Sequence, residues 1–235
     1  MSLKSDLDGS VKKIYREVWS RRDGQVIPED SDVKLGNDGV DIDAAILYAD
    51  MAGSTNLVDS YKAEFAAENY KAFLHCATKI IRAEGGEIRS YDGDRVMGVF
   101  IGGSKNTSAV RCALKIHYAV KSIIEPAKKN QYQKTTYNMK HVVGVDNSKV
   151  MAIRAGIRGS NDLAWIGKAA NHAANHAAKL SNMSDSYPTW ISDTVYNSMA
   201  DEVKYSEGKN MWEARLWTDM NNRKIYRSTY WWKIS

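Results

Sequence analysis

Apolar and polar positions follow two different periods along this chain, and the changes of period mark the predicted elements. Short apolar runs of strand length occupy residues 44–51, 87–91, 95–101, 151–157 and 163–167. Apolar residues three or four positions apart predict helices over about 60–84 and 106–125, and a further helix over the phrase NHAANHAAKL at 171–180. Gly85 and Gly86 end the first helix, and the turn Asp-Gly-Asp joins two of the strands as a hairpin.

The order β-α-β-β-α-β predicts an α+β fold, a ferredoxin-like βαββαβ core with helices on one face of an antiparallel sheet. We assign residues 44–235 to this main domain, which ends in extra C-terminal strands that carry several tryptophans, and residues 1–43 to an N-terminal helical extension. Its apolar residues recur at helical spacing: Val11, Ile14, Tyr15, Val18 and Trp19. We expect this helix to pack against the main domain as a prop, with a partner-binding arm as the alternative.

Composition and charge indicate the cellular compartment of the protein more clearly than its function. The 235 residues carry a net charge of +5 with the basic residues scattered, which suits a polyanionic small ligand as well as a nucleic acid. Both cysteines, Cys76 and Cys112, lie inside predicted helices, which favours buried thiols in a reducing compartment. The chain shows no leader and no apolar run of membrane-spanning length, so we expect a cytoplasmic protein without a membrane partner.

Two aspartates carry the candidate chemistry. Asp50 follows a buried strand and precedes a turn of small residues, whose N–H groups at Gly53, Ser54 and Thr55 can hold phosphate at the start of a helix. Asp94 lies in the hairpin turn, and in a ferredoxin-like sheet this hairpin neighbours the first strand. Two carboxylates with substrate phosphates are a typical setting for Mg²⁺ or Mn²⁺. The alternative is that one aspartate caps the helix and the other makes the turn.

Four segments in this order resemble the catalytic domain of class III nucleotide cyclases: ILYADMAGST, GGEIRSYDGDRVMGVF, IRAGI and IGKAANHAANHAAKL. The resemblance covers roughly residues 44–200, and the separation of the two aspartates also suits the family. It implies a homodimer with sites at the interface, two metal ions per site, and a third metal contact from the backbone carbonyl of Met51. The implied reaction is attack of the ribose 3′-hydroxyl on the α-phosphate of a nucleoside triphosphate, which yields a 3′,5′-cyclic monophosphate and pyrophosphate.

The positions that read adenine in the family differ here. Ser90 stands where adenylate cyclases have a lysine, and Ala164 stands where they have an aspartate. Asp92 replaces an apolar residue that lines the pocket, and Tyr48 matches a smaller phenylalanine. A bulkier tyrosine and a polar Asp92 suit a smaller base, but Asp92 can accept from uracil N3–H or from cytosine N4–H₂. A degenerate adenylate cyclase with an exposed Asp92 is the alternative.

With these departures, the chain most resembles the pyrimidine cyclases of bacterial antiphage defence (Pycsar systems). This resemblance spans nearly the whole chain, including the N-terminal extension. The resemblance implies cyclic UMP or cyclic CMP as an alarm signal that a separate effector protein binds. Overall likeness favours UTP as substrate. The competing classes are a non-catalytic nucleotide-sensing domain, which loss of a metal aspartate would favour, and an RNA-binding module, which the strands do not support because they lack paired aromatic residues.

The repeated phrase NHAANHAAKL holds the implied transition-state groups. Family spacing places an asparagine four residues after the glycine that opens the helix and an arginine four residues later. Counting from Gly167 gives Asn171 and Asn175, whereas the phrase NHAAKL gives Asn175 and Lys179. We prefer the first register because the glycine fixes where the helix begins. A neutral amide then stands where the family has a cation.

Overall fold

The computed structural model describes residues 2–180 and 187–234, without the side chains of residues 176–180 and 219. The helices are α1 Leu3–Arg16, α2 Ser54–Ser60, α3 Ala63–Ala83, α4 Lys105–Ala119, α5 Glu125–Gln131, α6 Lys168–Leu180 and α7 Asp193–Ser198. The strands are β1 Ser20–Asp23, β2 Asp38–Ala52, β3 Glu87–Asp92, β4 Arg95–Phe100, β5 Lys140–Ile157, β6 Ser160–Ile166, β7 Thr189–Ser192, β8 Tyr205–Ser206, β9 Lys209–Asn210, β10 Glu213–Trp217 and β11 Arg223–Ser228.

One large sheet organises the chain. Its strand order is β10-β11-β7-β5-β2-β4-β3, with β1 paired to β2 and β6 paired to β5. Within it, β5-β2-β4-β3 is the ferredoxin-like order, and β2 pairs antiparallel with both β4 and β5. The predicted α+β class is therefore confirmed, and β7, β10 and β11 are the extra C-terminal strands.

The long central strand β2 separates two apolar layers, because successive side chains point to opposite faces of a sheet. Its odd-numbered residues from Ala45 to Met51 pack in a core with α3 and α4. Its even-numbered residues from Val40 to Ile46 pack in a second core with the alanines of α6. Helices thus cover both faces, whereas the sequence predicted them on one. Beyond Ile46 the even face is only partly covered, and Tyr48 and Asp50 are half-buried there.

Two strands begin earlier than their apolar runs suggest. β2 begins at Asp38, so the division predicted between residues 43 and 44 falls inside it, and β1 also joins the sheet from the N-terminal segment. β5 begins at Lys140 rather than near residue 151. Its first half includes the polar stretch 146–149, which hid the strand signal.

The N-terminal helix does not pack as predicted. No residue of α1 is buried, and the apolar residues expected to prop it against the main domain are all exposed. The prediction of a prop is therefore wrong, because the apolar period showed that α1 has an apolar face without showing what covers it. None of the helices in the described part of the chain has both the length and the apolar composition that a membrane crossing requires.

Candidate active site

Polar side chains line the open face of the sheet where β2 ends. Asp50 is level with Arg95 on β4, and Arg95 is level with Asp92 on β3. One row further in, Tyr48 is level with Met97, and Met97 is level with Ser90. Residues level with each other on adjacent strands share a face. The register therefore brings two rows of three side chains together on the face that α6 leaves partly open.

Asp94 completes this group from the β3–β4 turn. Gly93 beside it has a φ of +60°, a left-handed conformation that glycine adopts without strain. The Oδ2 atom of Asp94 is buried and accepts no hydrogen bond from any described residue. Burial and, next, the nearby charge of Asp94 raise the pKa of Asp50 to about 6, while Arg95 acts in the opposite direction. Two crowded carboxylates with an unsatisfied acceptor form a site that a cation would stabilise.

The donor set fits a hard divalent cation that keeps other oxygen ligands. Over the described residues, no group of three or more His, Cys, Asp or Glu side chains stands close enough to enclose a metal ion. Asp50 and Asp94 would therefore need further oxygens from the backbone, water or substrate phosphates, which is how Mg²⁺ is commonly held. The side chain of Met51 is buried in the core on the other face. Its backbone carbonyl is therefore the part of Met51 that can serve as a ligand.

The predicted phosphate turn follows directly. Gly53 caps α2 with a φ of +72°, and a Cβ there would meet no atom within 4 Å, so the backbone conformation rather than space calls for glycine. Ser54 and Thr55 form the first turn of α2, where backbone N–H groups lack intrahelical acceptors. Lys140, at the start of β5, is level with Ala52 on the same face as Asp50. A cationic side chain thus stands one residue from the turn.

Tyr48 and Arg95 form the wall of the open face next to Asp50. The Tyr48 hydroxyl donates to the sulfur of Met97 at 3.1 Å, which fixes the ring. The Arg95 guanidinium lies 5.3 Å from the centre of that ring and donates from Nη2 to Asp92 Oδ2 at 2.7 Å. The Asp92 side chain is 75% exposed, and Arg95 is 25% exposed. The more enclosed polar group of this wall is therefore Arg95, and the carboxylate of Asp92 is already paired with it.

Helix α6 lies on the same face but over another part of the sheet. The backbone N–H of Ala169 donates to Ser148 at 2.9 Å, and His172 Nδ1 lies 2.9 Å from Asp146 Oδ2. Ser148 and Asp146 are level with residues 44 and 46 of β2, so α6 starts away from Asp50 and runs towards its end of the strand. Arg223 also contacts Asp146, at 3.1 Å. His172 is therefore an anchor of the helix.

The predicted transition-state residues do not contact the two candidate metal aspartates of their own chain. Asn171 is exposed and Asn175 is half-buried, and the side chain of Lys179, the residue of the other register, lies outside the described residues. Where side chains are described, no hydrogen bond joins either asparagine to Asp50 or Asp94. The structure thus assembles one half of the implied site from Tyr48, Asp50, Ser90, Asp92 and Asp94, and leaves the α6 residues apart.

Three proteins named uridylate cyclase align with this chain over nearly its whole length. A uridylate cyclase from Xanthomonas perforans is 46% identical over 235 residues, and one from Burkholderia cepacia is 48% identical over 236 residues, with 100% of both chains covered in each case. A uridylate cyclase from Rhodovulum sp. (strain MB263) is 38% identical over 238 residues, with 98% of both chains covered. This chain belongs to the uridylate cyclase family. The resemblance read from the sequence is confirmed, and the protein is a nucleotide cyclase.

Solved structures place the cyclase in the class III fold. A bacterial light-regulated adenylyl cyclase superposes with a TM-score of 0.65 at 17% identity, over 84% of this chain and 54% of that one. The guanylyl cyclase Cya2 superposes with a TM-score of 0.65 at 14% identity, over 83% of this chain and 95% of that one. A dimeric guanylyl cyclase domain from Blastocladiella emersonii superposes with a TM-score of 0.58 at 13% identity, over 80% of this chain and 96% of that one. No family model matches the chain.

Sequence reasoning gave too little weight to two cations of the cyclase. Arg95 is the first residue of β4, directly after the hairpin turn, and this position places it opposite both Asp50 and Asp92. Lys140 was missed because β5 was predicted to start too late. Arg158, a basic residue directly after the predicted strand 151–157, lies at the far tip of the β5–β6 hairpin. It is sixteen residues beyond Val142, the partner of Asp50, and about 50 Å away at about 3.3 Å per residue.

Proposed function

We propose that this cyclase converts UTP to 3′,5′-cyclic UMP and pyrophosphate. The observation that carries the proposal is the buried, unpaired Oδ2 of Asp94 beside the carboxyl of Asp50, whose pKa is raised to about 6. The phosphate turn follows Asp50 directly at the end of β2. The full-length relatives named uridylate cyclase support UTP as the substrate.

Asp50 and Asp94, with the carbonyl of Met51, would hold two Mn²⁺ or Mg²⁺ ions per site. When bound, these ions supply a lowered pKa for the ribose 3′-hydroxyl and neutralise charge on the triphosphate. The N–H groups at Gly53, Ser54 and Thr55 would orient the terminal phosphates, because N–H groups at the start of a helix lack intrahelical acceptors. The position of Lys140 beside this turn supports a role in holding the same anion.

The wall made by Tyr48 and Arg95 supports a small base. The tyrosine hydroxyl narrows the space above Met97, and the guanidinium beside it can donate hydrogen bonds but cannot accept them. Uracil presents two carbonyl oxygens to such a donor, while the paired Asp92 remains an acceptor for N3–H. Cytosine has only one carbonyl oxygen for Arg95, so it makes fewer hydrogen bonds with Arg95 and Asp92. We therefore prefer uracil. Ser90, level with Met97, lines the inner end of the wall.

The complete site needs a second copy of the chain. Asn171 and Asn175 make no described contact with the metal aspartates of their own chain, so we propose that each α6 serves the site of the other subunit in a homodimer. A solved domain of this fold is itself named dimeric, which supports the arrangement. In this role an asparagine amide would donate to the α-phosphate oxygens, with a weaker interaction than an arginine would give.

The likeness to pyrimidine cyclases of antiphage defence extends the proposal to the cell. We propose that cyclic UMP acts as a second messenger in the cytoplasm during phage infection. A separate effector protein would bind it, and neither a nucleic acid nor a membrane would take part in the reaction.

The decisive experiment incubates the purified chain with each of the four ribonucleoside triphosphates and Mn²⁺, and identifies the products by mass spectrometry. We expect cyclic UMP with UTP, and loss of at least 100-fold in rate for Asp50→Asn and Asp94→Asn, because metal-ion stabilisation of charge contributes several kcal/mol. Asp43→Asn, on the same strand but in a surface ion pair with Lys105, is the control and should keep full activity.

Each alternative predicts a different product. Cyclic CMP as the main product would replace UTP by CTP, and cyclic AMP alone would make the chain an adenylate cyclase. No cyclic product from any of the four substrates would leave a nucleotide-sensing domain. Full activity in Asp50→Asn would refute the metal assignment.

A further inference from the structure

Helix α1 presents a continuous apolar face that its own chain leaves uncovered. Six apolar residues on this face, or in the turn that follows it, are each between 48% and 88% exposed: Leu3, Leu7, Val11, Ile14, Tyr15 and Val18. Their spacing of three and four residues places them along one side of the helix. A single helix of this length is marginal in water unless its apolar face is packed against something. The face is therefore a candidate for docking.

The end of α1 is fixed to the body of the protein. The side-chain amide of Asn37, itself buried, donates to the carbonyl oxygens of Ile14 at 2.8 Å and Glu17 at 2.7 Å. The backbone N–H of Ser20 donates to the carbonyl of Asn37 at 2.8 Å. Ser2 caps the other end by accepting from the N–H of Ser5 at 3.3 Å. Two ends with defined hydrogen bonds give a formed helix whose apolar face keeps a fixed direction.

Charges along α1 are divided between its two halves. The first half carries Asp6 and Asp8 with Lys4, a net charge of −1, and the second half carries Lys12, Lys13 and Arg16, a net charge of +3. Lys12 also pairs with Asp8 of its own chain at 2.6 Å. Two parallel copies would place like charges level with each other, which disfavours that arrangement. Two antiparallel copies place the acidic half of one helix beside the basic half of the other.

We propose that α1 packs antiparallel against α1 of a second copy of this chain. In this register Leu7 comes level with Ile14 of the second copy, and Val11 lies next to the twofold axis. Asp8 stands within one helical turn of Lys12 and Lys13 of the second copy. The pairing covers the apolar face with an identical face, as an interface with twofold symmetry requires. It does not depend on the substrate or the catalytic assignment.

The first test measures the mass of the purified full chain by light scattering during size exclusion. Val11→Asp places a charge at the centre of the apolar face, and we expect the average mass of the particle to fall on dilution at concentrations where the wild-type chain stays paired. Gly9→Asp is the matched control, because it adds the same charge on the opposite side of the helix, where a Cβ meets no atom within 4 Å. An unchanged mass for Val11→Asp at every dilution, or an equal decrease in the control, would overturn the proposal.

The second test reports the orientation and does not require a destabilising variant. In a Cys76→Ser background, which leaves only the buried Cys112, Leu7→Cys and Ile14→Cys proteins are oxidised separately and as a mixture. We expect the mixture to give the disulfide-linked species and each single protein to give at least fivefold less. Equal cross-linking in the Leu7→Cys protein alone would show parallel helices and contradict the antiparallel register.

The third test separates a second copy from a lipid surface, since a helix with basic residues beside an apolar face can also bind membranes. The wild-type chain is floated with vesicles of phosphatidylcholine and phosphatidylglycerol. We expect the protein to stay in the unbound fraction, because its apolar face is already paired. Flotation that Val11→Asp abolishes, together with a mass that this variant does not change, would assign the face to lipid and refute the pairing.

Discussion

Lowering the pH should destabilise the fold through two histidines that the proposed reaction does not use. His117 on α4 and His141 on β5 lie with their ring centres 5.3 Å apart. His117 Nδ1 and His141 Nε2 are buried and have no hydrogen-bond partner among the described residues. Burial and then the neighbouring ring lower the pKa of His141 to about 3, and burial with the charge of Lys121 lowers that of His117 to about 4. Both rings therefore stay neutral in the fold at pH 5.

The magnitude follows from the protons that the unfolded chain takes up. An unfolded histidine titrates near pH 6.5, so below that pH the unfolded state binds more protons than the folded state and the free energy of unfolding falls. Between pH 7 and pH 5 the decrease is about 2 kcal/mol for each histidine and about 4 kcal/mol for the pair. Asp50 acts in the opposite direction, because its folded pKa of about 6 lies above the unfolded value. After a discount for solvent screening, protonation of Asp50 adds back about 1 kcal/mol or less to the free energy of unfolding.

The assay is urea unfolding at pH 7 and pH 5 in EDTA, followed by tryptophan fluorescence. We expect the wild-type chain to lose about 3 kcal/mol between the two conditions, and His141→Leu to lose about 2 kcal/mol less. His75→Gln on the exposed side of α3 is the control and should lose as much as the wild type. If His141→Leu and the wild type lose the same amount, the His141 ring has a partner when protonated and the reasoning is wrong.

Four further substitutions test the site and its supports. Gly53→Ala should lower the free energy of unfolding by about 1 kcal/mol in urea, because alanine is strained at a positive φ; unchanged stability would show that the turn relaxes. Asp146→Asn should lower it by about 3 kcal/mol, because the fully buried carboxylate pairs with Arg223; an unchanged melting temperature would contradict a structural role. Asn171→Ala should lower kcat with little change in KM in steady-state assays, and Lys179→Ala should do so only if α6 is used in the other register.

The sequence was sufficient for the parts of the fold and site that depend on local signals. The β3–β4 hairpin follows from the Asp-Gly-Asp turn, and Gly93 indeed has a positive φ. The closeness of Asp50 and Asp94 follows from the strand order, because the first strand and the hairpin are neighbours in a ferredoxin-like sheet.

Features that depend on distant partners could not be predicted in the same way. The first half of β5 contains the fully buried Asp146, a residue that reads as a loop until Arg223, 77 positions later, is placed beside it. The apolar face of α1 is evident from its period, but a period does not show whether the chain covers the face. Arg95 could have been recognised, since its contact with Asp92 is local and spans only the hairpin turn.

The central position of β2 limits the kinds of genetic change that the protein tolerates. Towards its end, the even-numbered side chains of Tyr48 and Asp50 reach the open face, and the odd-numbered side chains reach the core below α3 and α4. Inserting or deleting one residue before Tyr48 would reverse this alternation for the rest of the strand. Asp50 would then enter the apolar core while its neighbour Met51 faced the site. Relatives that vary by substitution along this strand should therefore keep its length, and changes of length should be confined to the connections outside it.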